Sequence, residues 1–391
     1  MPFLLPRSVS SDRVAFVLAF GALSNLEVCS LNRAGVSRLE APTDRISVAT
    51  VGHPTLTWVQ RLAGIHKAAP VLGTMEAGAE PNEFVDIMAK QFDQIDTLSV
   101  SSYGIADGDH EELVRALLDG FRERGFRKTH LLRPRGNELR ADDVLSRGSL
   151  DIIAFPYHGL IALAPTSWVP DTKPFRRRGI RKPEPHPEIS LSPRLASLLV
   201  NLSGLAPGEV LLDPFCGSGT ILAEALVRSY RVLGVDSSEK RVRDAKKNLN
   251  WVGSGRRIAG FELRTGDARD LGSMLGKTKA DAVVTEPLLV PGLVARPSLE
   301  TATQLVESAR GVYEGALASI SEVIAPGRRI VMVVPVIPTM DGKEVSISLE
   351  GRLLGLRQYQ PGPIMFAYPV RLSFESTRWV RRAVYVFESE S

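Results

Sequence analysis

The sequence predicts an α/β protein: a doubly wound, mostly parallel sheet after residue 190, preceded by a smaller α+β module. Three observations predict it. Short apolar strands alternate with amphipathic helices from residue 193 onward, the signature of a parallel sheet covered on both faces. Looser strand-helix-strand alternation runs through the first 165 residues, as in a compact α+β unit. Between them lies a run of different composition, residues 170–190, with five prolines and six Lys/Arg between Pro170 and Pro187.

The elements follow in order. The first ~65 residues mix short apolar runs such as Ala15 to Phe20 with turn residues. Asn82 to Phe92 is amphipathic, Thr97 to Tyr103 is strand-like, and Glu111 to Arg124 carries Leu113, Leu117, Leu118 and Phe121 at helical spacing. Lys128–Leu132, Leu150–Ala154 and Gly159–Ala164 read as strands. The prolines of 170–190 argue against regular helix or central strand, so this segment reads as a linker or wrapping strap. Pro193–Leu202 is a helix, Glu209–Asp213 a buried strand, Thr220–Tyr230 a helix, Arg231–Asp236 a strand and Glu239–Trp251 a helix. Ile258–Thr265 and Ala282–Glu286 are strands, Glu300–Val323 a long helix and Arg329–Val334 a strand. Phe366–Phe374 and Ala383–Glu388 are expected to close the sheet as a hairpin.

Composition narrows the function class. The 391 residues are 44% hydrophobic and 24% charged, with 48 Lys+Arg against 44 Asp+Glu, which is ordinary globular composition with a slight positive excess. That excess permits a nucleic-acid partner without requiring one. No apolar run approaches the roughly 18 residues of a membrane span, and Val14–Leu23 lacks the flanks of a secretory signal. Cys29 and Cys216 are the only cysteines, too few for a disulfide framework or a multi-cysteine metal site. The six His show no paired ligand spacing. The expectation is a cytoplasmic protein with neither a membrane nor a metal partner.

The chemistry is concentrated after residue 209. Asp213-Pro214-Phe215-Cys216-Gly217-Ser218-Gly219-Thr220 lies where the first strand of the parallel sheet ends and a helix begins, the place where doubly wound sheets bind ligands. Position 222 is Leu where a dinucleotide fingerprint needs a third glycine, and no Gly-Lys-Ser/Thr follows as in a phosphate loop. Asp236, before Ser237, ends the second strand, where a carboxylate accepts from the ribose hydroxyls of an adenosine. Asp267, before Ala268, follows the third strand and is placed to accept from an adenine amino group. Glu286-Pro287 ends the fourth. Each acidic residue alone reads equally as a helix cap or a turn; four in register at successive strand ends are far more specific. Cys216 has no base beside it in sequence and reads as packing rather than as a nucleophile.

These residues resemble the S-adenosylmethionine-dependent N-methyltransferases. The surrounding sequence is similar to the archaeal and eukaryotic tRNA guanine-N2 methyltransferases that act on guanosine 10. The similarity is carried by Leu195-Ala196 through Asn201-Leu202-Ser203-Gly204, by Asn248-Leu249-Asn250-Trp251, and upstream by Ser102-Tyr103-Gly104-Ile105 and Arg135-Gly136-Asn137-Glu138-Leu139, which resemble a THUMP domain. Arg61 to Lys67 resembles the end of the ferredoxin-like domain of those enzymes. The resemblance implies a ferredoxin-like domain over 1–68, a THUMP-like RNA-binding domain over 69–169, a basic linker over 170–190 and a Rossmann-like methyltransferase domain over 191–391. It implies S-adenosylmethionine held by residues 213–220, 236, 237, 267 and 268, with tRNA as substrate; an activating partner subunit would leave no mark in the sequence.

In enzymes of this resemblance an Asp or Asn, two prolines and an aromatic hold the target amine. The side-chain oxygen and the next carbonyl accept its hydrogens, and the ring stacks on the base. Here the segment reads Thr285-Glu286-Pro287-Leu288-Leu289. Glu286 still accepts, from one methylene further out, and Leu289, at the place of the aromatic, offers no π surface, worth roughly 1–3 kcal/mol in stacking. Glu286 and Pro287 are therefore the expected catalytic pair. The competing readings are a silent tRNA-binding protein that keeps a cofactor pocket, and a DNA base amino-methyltransferase, against which the THUMP resemblance speaks. For RNA phosphates the candidates are Arg133 and Arg135 and the cluster Arg176, Arg177, Arg178, Arg181 and Lys182.

Overall fold

The computed structural model describes residues 11–31, 35–52, 56–133, 149–186, 191–254, 260–276, 278–287, 293–349, 354–362, 365–372 and 379–390. The chain forms two compact units, residues 1–21 with 32–171 and residues 22–31 with 172–391.

The first unit contains two sheets. Strand β1 (Arg13–Leu18) leads into helix α1 (Ala22–Ser30), which packs within the second unit. Strands β2 (Val36–Glu40), β3 (Ile46–Val51) and β4 (Ile65–Pro70) complete an antiparallel sheet of order β2-β3-β1-β4, and the crossover to β4 is one 3₁₀ segment, Leu56–Arg61. The second sheet is built from β5 (Gly73–Met75), helix α2 (Asn82–Ala89), β6 (Thr97–Ser102), helix α3 (Asp107–Glu123), β7 (His130–Leu131), β8 (Ser149–Tyr157) and β9 (Leu160–Pro165), in strand order β5-β9-β8-β6-β7. Phe84, Val85, Met88, Leu113, Leu117 and Phe121 of its two helices cover one face. The expected boundary at 68/69 falls inside β4, the last strand of the first sheet, and the two sheets share a core. Ala15, Val17, Ile46 and Val48 of the first pack with Ile153, Phe155, Ala162 and Ala164 of the second. Splitting them would expose apolar surface on both, so they form one body. Lys67, 1% exposed, reaches across it. Its Nζ donates to Asp151 Oδ2 at 2.9 Å, and the other partners of that carboxylate include Ser99, Ser101 and Thr166.

The second unit opens with α4 (Lys173–Ile180), inside the segment expected to be irregular. The proline argument fails here for a local reason. Pro174 sits in the first turn, where its missing N–H has no intrahelical acceptor to lose, and the other prolines lie outside the helix. Helix α5 (Pro193–Leu202) starts the same way, with Pro193 in its first turn and the Ser192 hydroxyl accepting from the Leu195 amide at 3.2 Å. Then follow β10 (Val210–Asp213), α6 (Thr220–Leu226), β11 (Arg231–Asp236), α7 (Glu239–Gly253), β12 (Phe261–Thr265), the short helix α8 (Leu271–Leu275), β13 (Ala280–Thr285), α9 (Leu299–Val323) and β14 (Ile324–Pro338). Short strands β15 (Glu344–Ser346), β16 (Leu356–Gln358) and β17 (Val370–Arg371) precede β18 (Arg381–Ser389).

The sheet order is β12-β11-β10-β13-β14-β18-β16, with β15 on β14 and β17 on β18. Strands β10 to β14 run parallel, and β18 inserts antiparallel against β14 over eight residue pairs. The expected closing hairpin is present in reduced form: β17 pairs two residues with β18, and residues 373 and 374 lie outside the described set. The order reverses between β10 and β13. Their carboxyl ends therefore border the crevice that an open parallel sheet leaves for a ligand.

Candidate active site

The turn after β10 is shaped for close approach. Gly217 has φ +50 and Gly219 φ +82, both in the left-handed region that side chains disfavour. A Cβ added at Gly217 would meet nothing within 4 Å, so that side of the turn faces open space. At Gly219 it would press on Ala245 and Leu249 at 3.4–3.5 Å, so here the missing side chain lets α6 start against α7. Pro214 is buried and Phe215 half-buried. Cys216 is buried, and burial with the charges of Asp213 and Asp236 pushes its thiol well above the usual range, as a packing residue requires.

Asp236 ties this turn to β11. Its Oδ2 accepts from the Gly217 amide at 2.9 Å and its Oδ1 from the Ser238 amide at 2.9 Å. An ionised carboxylate has about four lone-pair sites, so two such bonds leave capacity for a diol. Ser237 beside it is exposed. Asp213 is 1% exposed, and its Oδ1 accepts from the Thr285 hydroxyl at 2.7 Å and the Phe215 amide at 3.2 Å. Burial, with the charges of Asp236 and Glu286, pushes its carboxyl up to about 7. These two residues, the open face of Gly217 and the strand-end crevice fit an adenosine-bearing ligand.

Asp267 stands at the end of β12, but its carboxylate is already occupied. Arg269 donates to Oδ1 at 2.9 Å and to Oδ2 at 2.6 Å, and holds the carboxyl down at about 2. The acceptor expected for an adenine amino group is therefore one half of a bidentate ion pair. Ala268 is buried and packs inward.

At the end of β13, Glu286 Oε1 accepts from Arg382 Nε at 2.6 Å, with the two side chains only 11% and 4% exposed. The hydroxyl of Tyr313, on α9, lies 3.4 Å from the Pro287 carbonyl and donates to it. Arg382 and Tyr313 were invisible to sequence reasoning: they lie 96 and 26 residues from the groups they touch, with no local motif. Leu288 and Leu289 lie outside the described residues.

The basic residues divide. Arg176, Arg177 and Arg181 are exposed on or just after α4, with the Arg177 guanidinium over the Trp251 ring at 5.6 Å. Arg178 faces inward. Its Nε and Nη2 donate to the two oxygens of buried Glu224 at 2.6 and 2.8 Å. Lys182 is buried, with Nζ 3.0 Å from Thr220 Oγ1. Neither Arg178 nor Lys182 is available as a surface phosphate contact, which corrects their sequence assignment: each is desolvated against a neighbour that the chain brings back from 38 or more residues away. Arg133 is 71% exposed in a loose pair with Glu111, and Arg135 lies outside the described residues. Among the described residues no helix is long and apolar enough to cross a membrane, and no group of three or more His, Cys, Asp or Glu is arranged to hold a metal ion.

Comparison with known proteins places these observations. Residues 178–333 match the UPF0020 family, an RMKL-like methyltransferase domain. The chain is 38% identical over 146 residues to a tRNA (guanine(10)-N2)-dimethyltransferase of Methanothermobacter thermautotrophicus, covering 37% of this chain and 39% of that protein. It is 30% identical over 148 residues to the Pyrococcus abyssi protein of the same name, covering 38% and 40%. The chain thus matches about two fifths of the length of these curated relatives. Over nearly its whole length it shares a fold with TrmN from Thermus thermophilus, at TM-score 0.54 and 17% identity, covering 96% of this chain and 99% of that one. The mixed α/β architecture and its parallel-sheet unit are those of a methyltransferase fold.

Proposed function

We propose that this chain is an S-adenosylmethionine-dependent tRNA methyltransferase acting on the exocyclic N2 of a guanosine, with guanosine 10 as the target. The observation that carries the reading is the row of carboxylates at the switch-point crevice, Asp236 and Asp213 beside the open face of Gly217 with Glu286 at the next strand end. The curated relatives support the choice of tRNA guanine, and the matched family domain, residues 178–333, contains Asp213, Gly217, Asp236 and Glu286.

The bound cofactor would supply an electrophilic methyl group on sulfonium. The residues of the chain position what attacks it. An exocyclic amine is a weak nucleophile because its lone pair is delocalised into the base. Acceptors for its two hydrogens favour the pyramidal, localised form and aim it. Glu286 and the Pro287 carbonyl are those acceptors. Arg382 fixes the Glu286 carboxylate from behind, which removes the extra rotamer that glutamate has over aspartate. Asp236 holds the ribose and, through the Gly217 amide, the turn beneath it. Arg176, Arg177 and Arg181 offer exposed charge for phosphates, and the first unit is the candidate RNA-capturing module.

One observation favours a second reading, a tRNA-binding protein that keeps the cofactor without using it: Glu286 and the Pro287 carbonyl each already accept from a protein donor. Incubation of the full chain with labelled S-adenosylmethionine and unmodified tRNA transcripts, followed by mass spectrometry of nucleosides and of ribonuclease fragments, separates the two. N2-methylguanosine at position 10 supports the methyltransferase reading. Cofactor binding without label transfer to any tRNA overturns it in favour of the second.

A further inference from the structure

Two little-exposed cations of the second unit face a carboxylate: Arg178 faces Glu224, and Arg382 faces Glu286. Lys182 does not. It is 8% exposed, and among the described residues no carboxylate lies within 4.0 Å of its ammonium. Its neighbours are two hydroxyls of the glycine-rich turn, Thr220 Oγ1 at 3.0 Å and Ser218 Oγ at 3.4 Å. Burial alone accounts for the downward shift of its titration, with no anion opposing it. A buried charge without a counterion is costly, and that cost is removed when an anion binds beside it.

The lysine is also held in place. Asn248 clamps the strap that carries it: its Nδ2 donates to the Ser218 carbonyl at 2.9 Å and the Glu184 carbonyl at 3.1 Å, and its Oδ1 accepts from the Glu184 amide at 2.9 Å. An ammonium has three donors; the two hydroxyls take two, and one remains. Ser218 adjoins Gly217, where the turn faces open space. A ligand whose ribose is held by Asp236 at the end of β11 would present its other end to this turn.

Resting on the cofactor reading above, we propose that Lys182 is the counterion for an α-carboxylate, and that it selects adenosyl sulfur compounds that carry an amino-acid chain over those that lack one. The hydroxyls of Ser218 and Thr220 orient the ammonium, and the Asn248 clamp keeps the strap closed over the turn.

The test is calorimetric and needs no turnover. The full chain is titrated with S-adenosylhomocysteine and with 5′-methylthioadenosine, which keeps the nucleoside and sulfur but has no carboxylate. Lys182→Met is expected to weaken S-adenosylhomocysteine at least about tenfold, the loss of one charge-assisted hydrogen bond, and to leave 5′-methylthioadenosine within about twofold. Lys182→Arg should retain most of the affinity. Unchanged S-adenosylhomocysteine binding in Lys182→Met overturns the proposal. An equal loss of both ligands also overturns it, because the lysine would then only pin the strap. Should Lys182→Met not fold, the wild-type chain answers the question: it should prefer S-adenosylhomocysteine over its carboxyl methyl ester at least about tenfold, and equal affinity overturns the assignment. A wild-type chain that binds neither nucleoside overturns the cofactor reading itself, an outcome distinct from loss of the carboxylate preference.

Discussion

Glu286 carries the proposed chemistry on a carboxylate that the fold has already engaged. Arg382 donates to Oε1, and a target amine would share the lone pairs of this engaged carboxylate. That use grows as positive charge develops on nitrogen, so truncation should lower turnover more than binding. Glu286→Ala is expected to lose about a hundredfold in single-turnover rate, roughly 2.7 kcal/mol, with tRNA and cofactor affinities nearly unchanged and Glu286→Gln in between. Wild-type rates in Glu286→Ala would remove it from the mechanism. Asp213 makes a different prediction, about stability. Folding raises its carboxyl from 3.8 to about 7. The native state therefore holds the proton more tightly, and this group's contribution to stability is progressively lost as pH rises from about 4 to about 7, then stays at its low level. Asp213→Asn keeps an oxygen for the Thr285 hydroxyl and the Phe215 amide but cannot ionise. Urea unfolding should show variant and wild type differing little near pH 4 and the variant favoured at pH 8 by a few kcal/mol, on the order of 1.4 per pKa unit. A constant difference across that range would sink the assignment. The positions of both residues were legible in the sequence, because a strand end followed by a turn is a local pattern. Their partners were not: Thr285 and Arg382 arrive from 72 and 96 residues away.

At the scale of elements, the parallel sheet could be read from alternation alone, because each strand and its following helix bury themselves by local periodicity. The strap between the two halves could not. Its composition, rich in proline and arginine, describes a solvated linker equally well. What makes α4 part of the domain is Arg178, whose fork meets both oxygens of Glu224 on α6, a side chain with no exposure at all. Burial raises the titration of Glu224, and the hydrogen bonds and charge of Arg178 oppose it. Arg228 stands 3.8 Å from the second oxygen and offsets part of any loss. Removing one member of a buried pair strands the other, at about 3–5 kcal/mol. Arg178→Met should therefore cost about 3 kcal/mol in chemical denaturation, and Glu224→Gln at least as much, since it leaves both Arg178 and Arg228 without their carboxylate. The exposed Arg177→Met should cost no more than about 0.5 kcal/mol. Equal small effects from Arg177→Met and Arg178→Met would mean that α4 is the loose linker its composition suggests.

For the whole molecule, the consequential feature is that the methyltransferase-like unit is not continuous in sequence. Helix α1, nine residues near the amino end, belongs to it. Leu23, Leu26 and Val28 are fully buried, and Glu27, also buried, accepts from Asn201 Nδ2 on α5 at 2.6 Å. Asn201 in turn accepts from Arg228 Nε at 3.2 Å, which joins α1 to the same polar network as Glu224. A boundary near residue 170 looks natural in the sequence because composition changes there, and no local signal links residue 27 to residue 201. Cutting at that boundary would uncover the faces under three apolar side chains, each worth about 1.5–3 kcal/mol when buried, and would leave Asn201 without its carboxylate. A fragment of residues 172–391 should therefore melt well below the full chain or aggregate. A fragment in which residues 20–31 are joined to residue 172 through a flexible Gly/Ser linker should recover most of the difference. Thermal midpoints of the two fragments check this directly, and equal midpoints would show that α1 is dispensable. The recovered fragment also isolates the capture step. It should bind S-adenosylhomocysteine as the full chain does while losing most affinity for tRNA, and the full chain's tRNA affinity should fall steeply with salt as phosphate contacts are screened. Equal tRNA affinity in the fragment and the full chain would place RNA recognition in the second unit, on the exposed arginines of α4, and leave the first unit without the capturing role proposed for it.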